Sequence, residues 1–315
     1  MIVSQARRRD VEIYYQDTDI TGYVIPRLCV VHDTEGERCD SLEIEFENAA
    51  GWFRWEPEED DRILIAQDGY DTGTMYVNTV LPADGHFRIL ATALPCKARR
   101  RMNRSFAGKT LEEIMQSAAM ASGMKYALFG VDGQTVIPYI QQKNEGSAAF
   151  LHRLLKMEGA TLKCVNGKYT AIGILYAQER KAYQSIEVDP QRSGTDYLRN
   201  GSKLYSLTVR TPYATATAFD EAVSSGRLTE TRDEYPAKND IQAGRWARGL
   251  LLDNNRKCEA LTIHSEFNAG FTAATRIDIS SNAVLSGKWI IAEAKHDFIN
   301  KTSAAKLYRC ITTVK

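Results

Sequence analysis

Leu42-Glu43-Ile44-Glu45-Phe46-Glu47 alternates apolar and acidic residues. At the two-residue period of a strand this puts Leu42, Ile44 and Phe46 on one face and the glutamates on the other, facing water. The stretch predicts a half-buried antiparallel strand. Its surroundings read alike. Val11, Ile13 and Tyr15 alternate, residues 62–66 make a short apolar strand, and Asp84-Gly85 between 75–81 and 87–93 reads as a hairpin turn. Many short strands joined by tight turns predict a barrel-like β domain over residues 1–96.

Composition shifts at Lys97, where Lys97, Arg99, Arg100, Arg101 and Arg104 fall within eight positions, and a domain boundary is placed there. Thr110-Leu111-Glu112-Glu113 is a capping box, with threonine at the N-cap and glutamate three residues on. Ile114, Met115 and Ala118 follow at helical spacing, and Gly123 stops the helix. After a turn at Asp132-Gly133 and a strand around 136–140, Phe150, Leu151, Leu154 and Leu155 form a second helical face closed by Gly159. Asn166-Gly167 between 161–165 and 168–172 predicts a tight hairpin. Residues 97–178 therefore read as a small α+β domain.

Strands return in 179–315, with Tyr205, Leu207 and Val209 alternating and further strands at 261–263, 276–279, 289–292 and 308–312. A helix near 239–253 carries Ala243, Ala247, Leu250 and Leu251 on one face, although Gly244 and Gly249 each cost about 1 kcal/mol against alanine. Residues 219–237 read as a loop or linker. The fold class expected is mainly β with α+β: two barrel-like β domains flanking a small α+β domain.

The 315 residues exceed the roughly 250–300 at which single cores stop growing, and 43% hydrophobic with 25% charged residues is the balance of a folding chain. Forty basic residues offset forty acidic ones, so no global field selects nucleic acid, anionic membrane or acidic substrates. The opening residues lack the apolar core of a signal peptide, and no run approaches the roughly 20 apolar residues of a membrane helix. A soluble, unexported product is expected. Its six scattered cysteines, with no C-x-x-C pair, read as reduced thiols.

Gly108-Lys109-Thr110 looks like the end of a phosphate loop, but such a loop needs a glycine five residues before Gly108, and Asn103 stands there. Capping explains Thr110 without a nucleotide. Glu145 and Ser147 sit in no G-x-S-x-G elbow, and helix capping by Asn144, Glu145 and Ser147 is the simpler account. His32, His86, His152, His264 and His296 show no metal-ligand spacing, although His264 and His296 are candidates for neighbouring strands. The basic run 97–104 has the residue types that grip phosphate, yet no interleaved aromatic platform, so it reads as a solvated face or a contact for an acidic neighbour. Trp52, Phe53 and Trp55, beside the acidic stretch 56–61, are rings that plug a barrel end or anchor a subunit contact.

The order of these features resembles the late-control D family of phage tail proteins, the baseplate hubs of contractile tails. The matching residues are Ser105 to Ile114, then Gln141, Glu145, Ser147, Phe150, Leu151, Leu154 and Glu158-Gly159. Ala243 to Ala247 and Gly287 to Phe298 complete the match. The family's Glu-Ser pair is interrupted here by Gly146. The resemblance implies a homotrimer whose two β domains per chain give a six-part ring, matching a sixfold tail tube on one side and a trimeric tail spike on the other. It also implies contact with a tube or tube-initiator protein and other baseplate proteins, a place in the virion or tail-like particle, and assembly in the host bacterial cytoplasm. No catalytic residue, cofactor, metal, membrane anchor or specific nucleic-acid site is expected. The alternative is an envelope-degrading or carbohydrate-binding tail-tip component, which needs paired carboxylates in a groove.

Overall fold

The computed structural model describes residues 11–47, 56–83, 86–191 and 194–315. Among the described residues strand outweighs helix, 48% to 17%, in a curled half-barrel sheet with few helices, so the mainly β class expected from the alternating stretches is the observed one. The first eight strands are β1 (Glu12–Tyr15), β2 (Thr18–Asp19), β3 (Pro26–Thr34), β4 (Ser41–Glu47), β5 (Arg62–Gln67), β6 (Tyr70–Asp71), β7 (Met75–Ala83) and β8 (His86–Thr92). They run side by side in the order β3-β4-β8-β7-β5-β1-β2, with β6 against β5. Leu42 on β4 lies between Val31 of β3 and Ala91 of β8, and Leu42, Ile44 and Phe46 are buried, as the alternation predicts.

The opposite face of β4 differs from expectation. Glu43 and Glu45 do not simply point into water but pair with Arg88 on β8 at 2.9 and 2.7 Å, Glu45 from directly opposite and Glu43 from the diagonal position on the same face. Ala83 pairs with His86 across the expected hairpin, whose Asp84-Gly85 tip lies outside the described residues.

The middle part holds α1 (Cys96–Arg99), β9 (Met102–Thr110), α2 (Leu111–Ser122), β10 (Lys125–Phe129), β11 (Val136–Glu145), α3 (Ser147–Met157), β12 (Ala160–Val165), β13 (Lys168–Gly173) and α4 (Ile174–Glu179). Strand β9 pairs with β11 as a two-stranded ribbon. Sequence periodicity passes over β9 because only Phe106 in it is buried. The capping box forms in full: Thr110 Oγ1 accepts from the Glu113 amide at 3.2 Å, and Glu113 accepts from the Thr110 amide at 2.8 Å. Gly123 closes α2 in the left-handed conformation. Thr110→Ala is expected to cost about 1 kcal/mol in urea unfolding; an unchanged midpoint would show that packing alone sets the start of α2.

The start of α3 departs from its sequence reading. Its N-cap is Gly146 with no side-chain cap. Asn144 instead occupies a bulge with φ 49°, where the register shifts between Lys143 and Glu145. Glu158 is the C-cap, and Gly159 follows with φ 71°. Asn166 and Gly167 both take positive φ, 48° and 66°, as a two-residue hairpin between twisted strands demands.

The last part comprises β14 (Gln184–Glu187), β15 (Thr195–Arg199), β16 (Ser206–Thr211), β17 (Ala214–Phe219), β18 (Thr229–Arg232), α5 (Asp240–Arg256), β19 (Glu259–Glu266), β20 (Arg276–Ser280), β21 (Gly287–Asp297) and β22 (Thr302–Arg309). Strand β18, Thr-Glu-Thr-Arg, lies inside the stretch read as linker. It runs parallel to β16 and carries no apolar alternation to reveal it. Asn239 caps α5 by accepting from the Gln242 amide at 2.9 Å. A side chain at Gly249 would put its Cβ 2.1 Å from the Met157 carbonyl oxygen, so this glycine lets α5 touch the end of α3.

The two β groups meet directly. Strand β21 pairs with β20 through Gly287–Ile290 and with β3 through Glu293–Asp297, changing partner at an irregularity between Ile291 and Glu293. One continuous sheet therefore runs β15-β19-β22-β21-β3-β4-β8-β7-β5-β1-β2. Among the described residues the buried apolar side chains form three cores. One lies within residues 11–91 and takes in Phe298, and a second spans 188–307 around Trp289. The third begins at Ala93, fills the helices of the middle part and continues through β16, β17 and α5 to Val314.

Candidate functional site

The residues read from sequence as chemically suggestive resolve into structural pairs. Glu145 Oε1 accepts from Arg153 at 2.5 Å, and Ser147 Oγ is a long 3.4 Å partner of Arg104. Arg104 itself grips Gln142 Oε1 at 2.8 and 2.6 Å and the Ser117 carbonyl at 3.1 Å. Lys109 pairs with Glu113 at 2.7 Å, one helical turn on. Within the basic run, Arg99 is held by Glu59 at 2.8 Å and Arg104 turns inward, while Lys97, Arg100 and Arg101 remain exposed.

Strand β22 separates His264 from His296, so the two histidines are not on neighbouring strands. His296 is fully buried, bonded to Ser303 Oγ at 2.9 Å and the Phe271 carbonyl at 2.8 Å, and burial lowers its pKa. Among the described residues no cluster has the make-up of a metal site, and no helix is long and apolar enough to cross a membrane. Trp52, Phe53 and Trp55 lie outside the described residues.

The densest buried electrostatics lie where the turn from β3 to β4 meets the other two parts. Lys163, on β12, enters between two carboxylates, Asp33 and Asp40, the latter at 3.2 Å. Asp33 also accepts from the Ala273 amide at 3.1 Å, and Asp40 accepts from the Thr34 amide at 2.8 Å. Burial pushes the Asp40 carboxyl up to about 6; Lys163 opposes the shift and the Asp33 charge adds to it. Burial would also lower the Lys163 pKa, but the two carboxylates outweigh it and hold the ammonium above its ordinary value.

Two residues further along the same turn, Glu35 accepts from Arg256 of α5 at 2.6 Å. Arg256 also binds Asp253 at 3.2 Å, and Asp253 gathers Lys257 at 2.8 Å and Lys156 at 3.4 Å. Burial resists ionisation of Asp253, but this ring of cations keeps its carboxyl far below the usual range. The turn's backbone contributes as well: Glu35 donates to Ala292 at 3.1 Å and Gly36 to Leu162 at 2.8 Å. Residues 33–40 thus tie the first β group to the middle part and to the last at once. Asp33, Glu35, Asp40, Lys163, Asp253 and Arg256 each have a partner of opposite charge, which suits a fixed joint better than a reacting group. None of these residues stood out in sequence. The available signal was a charge inside an apolar strand, Asp33 after Val30-Val31 and Lys163 between Leu162 and Cys164.

With this geometry in hand, solved structures superpose over nearly the whole chain. A tail protein from Neisseria meningitidis MC58 matches with a TM-score of 0.73 and 10% identity, over 95% of this chain and 96% of that one. The 43 kDa tail protein of prophage MuSo2 from Shewanella oneidensis gives 0.72 and 13%, over 95% and 98%. The fold is that of phage tail proteins. The E. coli c3393 protein, a component of the type VI secretion system that exhibits structural similarity to the T4 bacteriophage tail proteins gp27 and gp5, matches at 0.62 and 10% identity. That match covers 96% of this chain and 77% of the other. No family model and no curated protein sequence matches the chain.

Proposed function

We propose that the chain is a structural baseplate-hub subunit of a contractile phage tail or tail-like particle, of the late-control D type. In this reading it works as a homotrimer whose paired β groups present six similar faces to the tail tube and three to a trimeric spike. Other baseplate proteins surround it, and no residue does chemistry. Trp52, Phe53 and Trp55 are candidates for its subunit contact.

The observation that carries the reading is end-to-end superposition on two tail proteins, over 95% of this chain and 96% and 98% of theirs. The fixed joint at residues 33–40 supports it, because an adaptor between two symmetries has to hold its β groups at one angle. The engagement of Glu145 by Arg153 weighs against the envelope-degrading alternative, since that carboxylate is already taken up in a contact within the chain.

The test is mass by light scattering, with negative-stain class averages, on the protein alone and co-expressed with the neighbouring spike gene. A mass three times that of one chain and a threefold ring with a central channel are expected in one preparation or both. A monomer in both would remove the ring.

A further inference from the structure

At the C-terminal end of α5 the protein carries a polar cleft in two adjoining parts of about 240 and 650 Å³, which share Asn200 and Cys258. Its walls bring together Lys156, Arg199, Lys203, Arg227, Arg232 and Lys257, against the carboxylates of Asp253 and Glu259. Glu230 and Glu234 hold Arg232 from outside the walls at 2.7 and 3.3 Å. Even with those two counted, cations remain in excess. Lys203 and Arg227 are the lining cations with no ion-pair partner among the described residues.

The matching anion lies elsewhere on the same chain. Residues 56–61, Glu-Pro-Glu-Glu-Asp-Asp, form a turn braced against neighbouring segments of the same chain at Tyr15, Gln16, Cys96 and Arg99. Asp61 accepts from the Glu58 amide at 2.8 Å and from Tyr15 and Gln16. Asp60 accepts from the Cys96 amide at 2.6 Å, and Glu59 pairs with Arg99 at 2.8 Å. Glu56 and Glu58 are left exposed, with no ion pair among the described residues. A rigid turn presenting free carboxylates loses little conformational entropy on docking.

We propose that the cleft receives the acidic turn of a second copy, with Glu56 and Glu58 of one chain against Lys203 and Arg227 of the next; the proposal rests on the ring reading above and names one of its contacts. Joining one patch to a different patch makes a head-to-tail interface, the kind that closes into rings. Charges brought together across such a contact steer encounter and fix register, and they weaken as salt screens them beyond about 10 Å at 0.1 M.

The experiment uses full-length protein and three variants: Lys203→Glu with Arg227→Glu, Glu56→Lys with Glu58→Lys, and all four together. Self-association is followed by sedimentation velocity at low and high salt, with circular dichroism to verify folding. Either pair alone is expected to weaken association roughly tenfold or more. The fourfold variant, with both signs exchanged, should associate again. If wild type assembles but the single pairs leave mass and salt dependence unchanged, the contact is wrong and the ring reading stands. Failure of the fourfold variant to recover also overturns the contact. A wild type that stays monomeric alone and with the spike removes ring and contact together.

Discussion

Lys163→Met is expected to lower the free energy of unfolding by about 3–5 kcal/mol, because it leaves two buried carboxylates without their shared cation. Lys163 is almost inaccessible, at 7% exposure, and its ammonium is the salt-bridge partner of both Asp33 and Asp40. A loss of that size is a large fraction of the roughly 5–15 kcal/mol a domain possesses. The outcome is read by urea unfolding, with Lys163→Met/Asp40→Asn as the companion: removing one stranded carboxylate should recover part of the loss. If Lys163→Met is as stable as wild type, the joint at residues 33–40 is not held by charge.

The same cluster carries a pH signature whose sign can be worked out. With its folded pKa raised to about 6, Asp40 holds a proton in the native state over a range where the unfolded carboxyl, near 3.9, has released it. Stability from this group is therefore fullest below about pH 4 and is lost as pH rises through 6, a change on the order of 1 kcal/mol between pH 5 and 7.5. His152 and His296, both lowered by burial, act in the opposite sense as pH falls. The effect is accordingly measured as the difference between wild type and Asp40→Asn, which should favour wild type at pH 5 relative to 7.5. A difference that does not vary with pH would contradict the raised Asp40.

Trp246→Ala is the second large loss expected, about 3–5 kcal/mol. Trp246 is fully buried on α5 within the core that joins the middle part to β16 and β17, and its Nε1 donates to Glu158 Oε1 at 2.8 Å. Truncation opens a ring-sized cavity and takes one donor from a carboxylate that, among the described residues, keeps Arg245 at 3.1 Å. Trp246→Phe separates the two effects, since it retains most of the volume and should cost nearer 1–2 kcal/mol for the lost bond. Thermal unfolding reads both variants. Equal losses would mean that the hydrogen bond, rather than packing, seats α5 against the end of α3.

What the sequence discloses is what depends on near neighbours. The alternation at 42–47, the capping box at Thr110, the Asn166-Gly167 turn and the apolar face of α5 are visible because their cause spans only a few residues. Strands β9 and β18 escaped because a strand with one buried side chain and a four-residue polar strand have no period to read. The start of α3 misled for a related reason: oxygen-bearing residues before a helix suggest a cap, yet here Arg153 claims Glu145 and a glycine takes the cap position. The joint was the least legible part. Lys163 meets Asp33 and Asp40 across 130 and 123 positions of sequence, and nothing local in any of the three announces the others. The Arg256–Glu35 pair spans 221.

The exchange of partners along β21 bears on how the chain is made. Its bond partners on β3 lie far upstream, His32 and Glu293 being 261 residues apart. At synthesis rates of roughly 5–20 residues per second, β3 waits roughly 13–50 s on the ribosome before its neighbour exists. Through that interval the edge of β3 at residues 30–34, which will pair with residues 293–297, has open amides and carbonyls, a template for pairing with another nascent chain. Neighbouring polysomes are therefore where this fold is most vulnerable, and the emergence of β21 ends the exposure.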